Sequence, residues 1–318
     1  MTAYELEGKR VWIAGHTGMV GSALQRRLRS ENCTVLTVPH SQMDLRDQLA
    51  VAQWFENNRP AAVFVAAAKV GGIQANDKYP AEFLYDNLMI EANIIHSAHM
   101  SGVEKLLFLG SSCIYPKLAS QPISEGALLS GYLEPTNEWY AIAKIAGIKL
   151  CQSYRKQFGR HFIAAMPTNL YGPEDNFDLE NSHAVPALIR KAHEATISAA
   201  KSLTVWGSGK PYREFLHVDD CADGLVYLMK HYDDYEHVNI GYGDDLSIDD
   251  LAKLICKIVG FKGEIMHDTS RADGTPRKLM SSAKLRALGW EPAIPLETGL
   301  RLTYQWFLEH NAAATPGA

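Results

Sequence analysis

The hydrophobic residues of the N-terminal half form short continuous runs, and between these runs apolar residues recur at helical spacing. The continuous runs predict strands at residues 10–14, 34–38, 61–66 and 105–109. The helical spacing predicts helices at residues 19–28, 46–58, 80–101 and 136–158. Runs that are apolar at nearly every position are typical of parallel strands covered on both faces. The alternation therefore predicts an α/β fold with a Rossmann-type, doubly wound parallel sheet.

After about residue 170 the pattern is less regular, and proline, glycine and aspartate become frequent. Short strands are predicted at 203–206 and 237–240, among helices at 183–199, 247–259 and 297–310. We expect residues 1–170 to form a nucleotide-binding domain. Residues 171–318 are expected to form a smaller, mixed α/β substrate lobe, in which some segments return to the first sheet. The tail at 312–318 is expected to lack regular structure.

Composition argues against several classes of protein. The 318 residues carry a net charge of −5 and no long basic run, which argues against nucleic-acid binding. The longest apolar run has 8 residues, at 61–68, whereas a membrane span needs roughly 20. No apolar signal segment follows the first methionine. Five cysteines stand singly and without a Cys-x-x-Cys pair, which argues against a disulfide framework or a metal site and favours the reducing cytoplasm.

Three glycines follow the first predicted strand in the pattern Gly15-x-x-Gly18-x-x-Gly21, where the chain enters a helix. Glycine lets backbone N–H groups approach a pyrophosphate, and the N-terminus of the helix adds the positive end of its dipole. Glycines after a strand also serve plain turns. Their place in the first βα unit favours dinucleotide binding.

The end of the second predicted strand bears on the choice of cofactor. A site for NAD usually places Asp or Glu there, to bond the ribose 2′-hydroxyl. This chain has His40 and Ser41 after Val38 and Pro39. Without a carboxylate, a 2′-phosphate can be accepted and bound by His40 or Ser41, which favours NADP. Asp44 either bonds the adenine or caps the following helix.

Tyr140 and Lys144 are four residues apart in a predicted helix, so they share one face. An ammonium group beside a phenol lowers its pKa from the free value of about 10, which suits acid/base chemistry near neutral pH. The pair alone is also typical of a helix surface. Together with the glycine turn and Ser111 at the end of a predicted strand, it indicates a catalytic set.

The glycine turn, Ser111 and the Tyr140/Lys144 pair resemble the extended short-chain dehydrogenase/reductases over nearly the whole chain. Longer motifs are similar to the members that act on GDP-4-keto-6-deoxy-D-mannose: GSSCIYPK (110–117), PTNLYGPEDNF (167–177), NSHAVPALIRK (181–191) and DGTPRK (273–278). The resemblance implies epimerisation at C3 and C5, then reduction at C4 by NADPH. It also implies a homodimer formed by helices 80–101 and 136–158, in which Ala141, Ala143 and Ala146 permit close approach.

The resemblance implies a role for each catalytic residue. Cys113 is the base and His183 the acid at C3 and C5. Ser111 and Tyr140 hydrogen-bond the C4 oxygen, and Lys144 holds the nicotinamide ribose. A thiolate suits removal of a proton beside a ketone. The other cysteines are expected to be small buried hydrophobes: Cys33, Cys151, Cys221 and Cys256.

The resemblance also implies two sets of binding residues. The cofactor set is Gly15, Thr17, Gly18, Met19, Val20, Gly21, His40, Ser41, Asp44, Ala67, Tyr140, Lys144, Pro167, Asn169, Leu170 and His183. The substrate set is Ser111, Cys113, Asn169, Lys191, Trp206, Arg213 and Arg277. Cationic side chains bind diphosphate oxygens directly. The family pattern has Arg where this chain has Lys191, so that contact loses the planar fork.

Three alternative functions remain open from the sequence. A relative acting on a 3,6-dideoxy ketosugar to give GDP-L-colitose would use the same chemistry. A 4,6-dehydratase or 4-epimerase would not need the Cys113/His183 pair. A non-catalytic NADP sensor would not need the Ser111/Tyr140/Lys144 set.

Overall fold

The computed structural model describes residues 3–179, 182–270 and 273–311. The tail at 312–318, for which we expect no regular structure, lies outside the described residues. The first half contains β1 (Arg10–Ala14), α1 (Met19–Leu28), β2 (Thr34–Leu36), α2 (Gln48–Asn58), β3 (Ala62–Val65), α3 (Ile73–Lys78), α4 (Pro80–Met100), β4 (Lys105–Leu109), α5 (Glu138–Phe158) and β5 (His161–Pro167). The second half contains β6 (Asn169–Tyr171), α6 (Ala184–Ile197), β7 (Ser202–Trp206), β8 (Tyr212–His217), α7 (Val218–His231), β9 (Val238–Ile240), β10 (Asp245–Ser247), α8 (Ile248–Val259), β11 (Glu264–Asp268), β12 (Arg277–Lys278), α9 (Ala283–Ala287) and α10 (Leu296–Asn311).

The main sheet has six strands in the order β2–β1–β3–β4–β5–β9, and every neighbouring pair is parallel. The strand order reverses between β1 and β3. In such sheets ligands bind in the crevice outside the carboxyl ends of the strands at the point of reversal. The predicted fold class is confirmed.

Both faces of the main sheet are covered, which explains the continuous apolar runs. Successive side chains of a strand point to opposite faces. Val11 and Ile13 pack on the face that α1 and α7 cover. Trp12 and Ala14 pack on the opposite face, with residues of α2, α4 and α5 such as Phe55. These four β1 side chains are buried as a result.

The chain leaves the main sheet at Pro167, the last residue of β5, and after one residue enters β6. β6 pairs with β8, which also pairs with β10 and β12, while β7 pairs with β11. A third apolar cluster joins β7 and β8 to α6, α8 and α10. The residues after β5 therefore lie where the main sheet meets the smaller sheets.

Several elements differ from the prediction. β2 ends at Leu36, two residues before the predicted end at 38. β5 and α7 lie outside the predicted elements; β5 contains two alanines, which favour strands weakly, and Gly224 interrupts the pattern of α7. The strand predicted at 237–240 is β9, the last strand of the main sheet. Among the described residues, no helix is long and apolar enough to span a membrane.

Candidate active site

The glycine turn after β1 is packed backbone against backbone. Gly15 has φ +86°, and a β-carbon on it would lie 2.6 Å from the amide nitrogen of Ala67. A β-carbon on Gly21 would lie 2.1 Å from the carbonyl oxygen of Gly15. Gly18 is exposed at the N-cap of α1, and the first turn of that helix carries no acidic residue. The turn therefore leads directly into the N-terminus of α1, where the backbone N–H groups of the first helical turn form a cradle that fits a pyrophosphate.

The end of β2 leaves His40 and Ser41 exposed. Asp44 accepts hydrogen bonds from the backbone N–H of Arg46 at 2.9 Å and from its guanidinium Nη2 at 2.7 Å. These bonds lower the pKa of Asp44 to about 2. The residue that caps α2 is Asp47, which accepts from two N–H groups of the first turn. Asp44 therefore does not cap α2, because Asp47 does.

Ser111 and Cys113 follow β4 directly, in a short turn at the carboxyl edge of the sheet. The Ser111 hydroxyl donates to Cys113 Sγ at 3.3 Å, and the Cys113 N–H donates back to Ser111 Oγ at 3.4 Å. Asn137 Nδ2, just before α5, donates to the same sulfur at 3.3 Å. The Cys113 thiol thus lies between two hydrogen-bond donors, and it is partly exposed.

Tyr140 and Lys144 point from α5 toward the end of β4. Lys144 Nζ donates to the carbonyl oxygen of Leu109 at 3.2 Å. It lies 5.8 Å from the ring centroid of Tyr140 and 4.7 Å from that of Phe108. Ser111 and Cys113 both lie close enough to Tyr140 to influence its pKa, so the serine, cysteine and tyrosine predicted to be catalytic lie together.

The predicted lowering of the Tyr140 pKa by Lys144 is wrong. Burial raises the pKa of the Tyr140 phenol, the nearby Cys113 and Glu91 raise it further, and the polar Ser111 side chain opposes the shift only in part. Burial also lowers the pKa of the Lys144 ammonium. Because burial also disfavours the charged form of Lys144, its ammonium does not offset the effect of burial on the Tyr140 pKa.

Glu91 is a site residue that the sequence analysis missed. Its Oε2 lies 3.8 Å from Lys144 Nζ, and both side chains are 3% exposed. Burial raises the pKa of the Glu91 carboxyl, while the charge of Lys144 opposes the shift. The signal was present: Glu91 shares its helical face with Ile94, Ile95 and Ala98, all of them fully buried. A carboxyl group in an apolar stripe indicates a buried partner.

The chain after β5 contributes Asn169, the first residue of β6, and His183, which precedes α6. Asn169 Nδ2 donates to the carbonyl oxygen of Glu214 at 2.8 Å. His183 is the N-cap of α6, but its side chain makes no capping bond. The residue is solvent-exposed, and partial desolvation by the neighbouring chain lowers the His183 pKa. Within the described part of the chain, no hydrogen bond joins His183 to Cys113.

Lys191 and Trp206 lie together in the smaller part of the fold. Lys191 Nζ lies 4.5 Å from the ring centroid of Trp206 and donates to the carbonyl oxygen of Thr204 at 3.2 Å. Both residues line an open cavity of about 500 Å³ together with Glu194 and Ser198. A cavity of this size accommodates a small-molecule group such as a nucleoside.

The two arginines predicted to bind substrate, Arg213 and Arg277, differ in their surroundings. Burial lowers the pKa of Arg213, on β8, and the charge of Asp273 opposes the shift. Arg277, on β12, donates to Asp245 through Nε at 2.6 Å and through Nη2 at 3.0 Å. Because this fork already binds a carboxylate, a phosphate contact of Arg277 remains a prediction.

The remaining cysteines differ from Cys113 in their surroundings. Burial raises the thiol pKa of each of Cys33, Cys151, Cys221 and Cys256. Three of the four are buried, as expected of small hydrophobes, while Cys33 is partly exposed.

A phosphate-binding turn at the point of strand reversal, beside a serine, a tyrosine and a lysine at the end of β4, defines a nucleotide-cofactor-dependent oxidoreductase of the short-chain type. The model of the NAD dependent epimerase/dehydratase family matches residues 11–241. The chain belongs to this family.

Two sequence relatives and one solved structure indicate which members of the family this chain resembles. The chain is 60% identical over 312 residues to the GDP-L-fucose synthase of Sinorhizobium fredii, which covers 98% of this chain and 99% of the relative. It is 35% identical to the GDP-L-colitose synthase of Yersinia pseudotuberculosis, over 95% of this chain and 99% of the relative. The structure of a GDP-L-fucose synthetase from Naegleria fowleri bound to NADP has a TM-score of 0.89 and 32% identity, over 98% of each chain.

Proposed function

We propose that this protein converts GDP-4-keto-6-deoxy-D-mannose to GDP-L-fucose, by epimerisation at C3 and C5 followed by NADPH-dependent reduction at C4. The observation that carries the proposal is the Cys113 thiol, 3.3 Å from the Ser111 hydroxyl. A plain ketoreductase needs serine, tyrosine and lysine; the cysteine adds an acid/base group beside the same carbonyl. The higher identity to a fucose synthase than to a colitose synthase favours the fucose precursor. Nothing supports a non-catalytic sensor.

NADPH fits the turn after β1. Backbone N–H groups at the start of α1 would bind its pyrophosphate, and His40 and Ser41 would bind its 2′-phosphate. When bound, NADPH supplies the hydride for C4. The NADP-bound fucose synthetase of the same fold supports this cofactor. The proposed contacts of the nucleotide are the residues of the cofactor set, from Gly15 to His183.

In the epimerisation, the Cys113 thiolate removes a proton from the carbon next to the ketone. Negative charge then develops on the C4 oxygen, where the hydroxyls of Ser111 and Tyr140 donate hydrogen bonds. His183 returns a proton on the opposite face of the sugar. Because desolvation lowers the pKa of His183, its imidazole is neutral near pH 7 before substrate binds. A bound diphosphate, being an anion, favours the imidazolium that this step needs.

In the reduction, Tyr140 is the proton donor. Its raised pKa means that the phenol keeps its proton near neutral pH and can give it to the C4 oxygen during the reduction. Lys144 holds the ribose and stabilises the tyrosinate that results. Both roles require Lys144 to carry a charge, which the carboxyl of Glu91 at 3.8 Å supports.

The nucleotide part of the substrate lies on the residues of the second half. Lys191 and Arg213 would bind the diphosphate, Trp206 would pack against the nucleoside, and Asn169 would lie between the sugar and the nicotinamide. We assign residues 1–170 mainly to the cofactor and residues 171–318 mainly to the substrate. β9 and α7 of the second part lie on the main sheet.

A homodimer formed by α4 and α5 is part of the proposal. Tyr85 and Met100 on α4 and Ile142 on α5 are exposed apolar residues, and such residues on adjacent helices suit an interface. Ala141 and Ala143, which the sequence argument placed in this contact, are fully buried within the chain and are unavailable to a partner. Light scattering at micromolar concentration tests the dimer. The free cysteines suit the cytoplasm.

The test of function uses GDP-4-keto-6-deoxymannose and NADPH in deuterated water, with absorbance for NADPH and NMR for the product. We expect NADPH loss and deuterium at C3 and C5 of a fucose ring. Cys113→Ser and His183→Gln should lose the deuterium incorporation, and Tyr140→Phe should lose the reduction. NADPH loss without deuterium would leave a plain ketoreductase and remove the roles of Cys113 and His183.

A further inference from the structure

The residue before α5 breaks the usual rule for helix caps. Asparagine at the N-cap normally accepts a hydrogen bond from an N–H group of the first turn. The side chain of Asn137 makes no such bond. Its Nδ2 instead donates to Cys113 Sγ at 3.3 Å, and its Oδ1 is buried without a partner among the described residues. A residue that departs from the usual capping preference without stabilising the helix is expected at a functional site.

We propose that Asn137 is a positioning residue for the base, which holds Cys113 in its thiolate form and directs the sulfur. This inference rests on the proposed role of Cys113. A hydrogen bond donated to a charged form favours that form. A thiolate can only accept, so it selects the amide orientation with Nδ2 toward sulfur, whereas a neutral thiol could also donate to Oδ1.

A second donor on the sulfur is needed because Ser111 has two tasks. Its hydroxyl carries one proton and now donates to Cys113 Sγ at 3.3 Å. When a ketosugar binds, that proton turns to the C4 oxygen. Asn137, on the other side of the thiol, then remains the donor that stabilises the thiolate while it acts as base.

Two titratable groups near the thiol, Tyr140 and Glu134, do not account for this stabilisation. Tyr140 faces Cys113 from α5, but burial raises its phenol pKa, so it stays neutral. In the loop before α5, the carboxylate of Glu134 is engaged by Lys117 at 3.3 Å and by the Thr136 hydroxyl at 3.2 Å. Beside Ser111, the amide of Asn137 is therefore the side chain in direct contact with the sulfur, and its removal should destabilise the thiolate.

The test is alkylation of Cys113 by iodoacetamide in the full-length protein without substrate, measured from about pH 6 to 9 by mass spectrometry of the Cys113 peptide. In Asn137→Ala we expect the rate at pH 7 to fall about three- to tenfold and to recover at high pH, because a less stabilised thiolate is scarcer but more nucleophilic. Asn137→Asp should slow it further, since a carboxylate beside the sulfur opposes the thiolate while aspartate still suits an N-cap.

Thr136→Ala is the matched control, because Thr136 precedes Asn137 but bonds to Glu134. It should alkylate like the wild type. A wild-type pH profile in either folded Asn137 variant overturns the proposal, and so does an equal slowing in the Thr136 variant. Alkylation needs no turnover, so its result is separate from that of Cys113→Ser. If Cys113→Ser still exchanges deuterium at C3 and C5, the base assignment fails whatever the alkylation shows.

Discussion

Replacing Gly21 by alanine tests how tightly α1 is packed on the phosphate turn. The new β-carbon would lie 2.1 Å from the Gly15 carbonyl oxygen, and 2.7 Å from the Gly15 carbonyl carbon and from His16 Cα. All three atoms belong to the backbone, so no side chain can rotate away. The turn or the helix must shift by roughly 1 Å to restore an ordinary contact.

Two effects of this substitution oppose each other. Gly21 lies within α1, where alanine is favoured over glycine by about 1 kcal/mol. Overpacking a close-packed site costs about 1–3 kcal/mol, and a clash with rigid backbone belongs at the upper end. Packing therefore outweighs propensity, and we expect the free energy of unfolding to fall by about 2 kcal/mol.

Gly18→Ala is the control for stability. Its β-carbon would lie 3.6 Å from the Gly15 carbonyl oxygen, an ordinary contact, and φ is −82°. Urea denaturation should show Gly18→Ala within about 0.5 kcal/mol of the wild type. Its methyl group nevertheless enters the place of the pyrophosphate, so fluorescence titration should show NADPH binding weakened about tenfold or more. A Gly21→Ala protein as stable as the wild type would refute the packing argument, and wild-type NADPH affinity in Gly18→Ala would refute the placement of the pyrophosphate.

Three further predictions concern buried or paired charges. Burial lowers the pKa of His237 to about 4, so acidification from pH 7 to 5 protonates the unfolded chain first and removes about 2 kcal/mol of stability. His237→Gln should lose this part of the pH dependence in urea denaturation, and equal slopes in both proteins would contradict it. Glu91→Leu leaves the Lys144 ammonium without its carboxyl neighbour and should slow single-turnover NADPH oxidation at least about tenfold; a wild-type rate would exclude this role. Lys191→Ala should raise the KM for the nucleotide sugar about tenfold while Lys191→Arg keeps it within about threefold, since arginine retains the cation; an unchanged KM in Lys191→Ala would remove this residue from the substrate site.

The fold was predictable where one local signal sufficed. The apolar run of β1 requires cover on both faces, and the glycines that follow it require a close backbone approach; both are properties of adjacent residues. β5 and α7 lacked such a signal, because alanines and Gly224 weaken the local pattern and burial by other elements supplies the stability. The position of β9 in the main sheet likewise depends on tertiary packing, since a strand of three residues is too short to show which sheet it joins.

The site was predictable as a set of residues but not as a set of interactions. Spacing placed Tyr140 and Lys144 on one face, and the end of β4 carries Ser111 as expected. The direction of the Tyr140 pKa was wrong because it depends on burial, which sequence spacing does not report. The contacts of Glu91 with Lys144 and of Asn137 with Cys113 form only in the folded chain, because they join residues that are distant in sequence.

α5 explains how one site can serve two reactions. Asn137, Tyr140 and Lys144 stand at positions i, i+3 and i+7 of the chain, which lie on one side of a helix. Removal of a proton at C3 or C5 and addition of hydride at C4 both place negative charge on the same C4 oxygen. The hydroxyls of Ser111 and Tyr140 therefore stabilise both steps without movement of the sugar. It follows that Tyr140→Phe should slow deuterium exchange as well as reduction, whereas a tyrosine that only donates a proton to the alcohol would leave exchange intact.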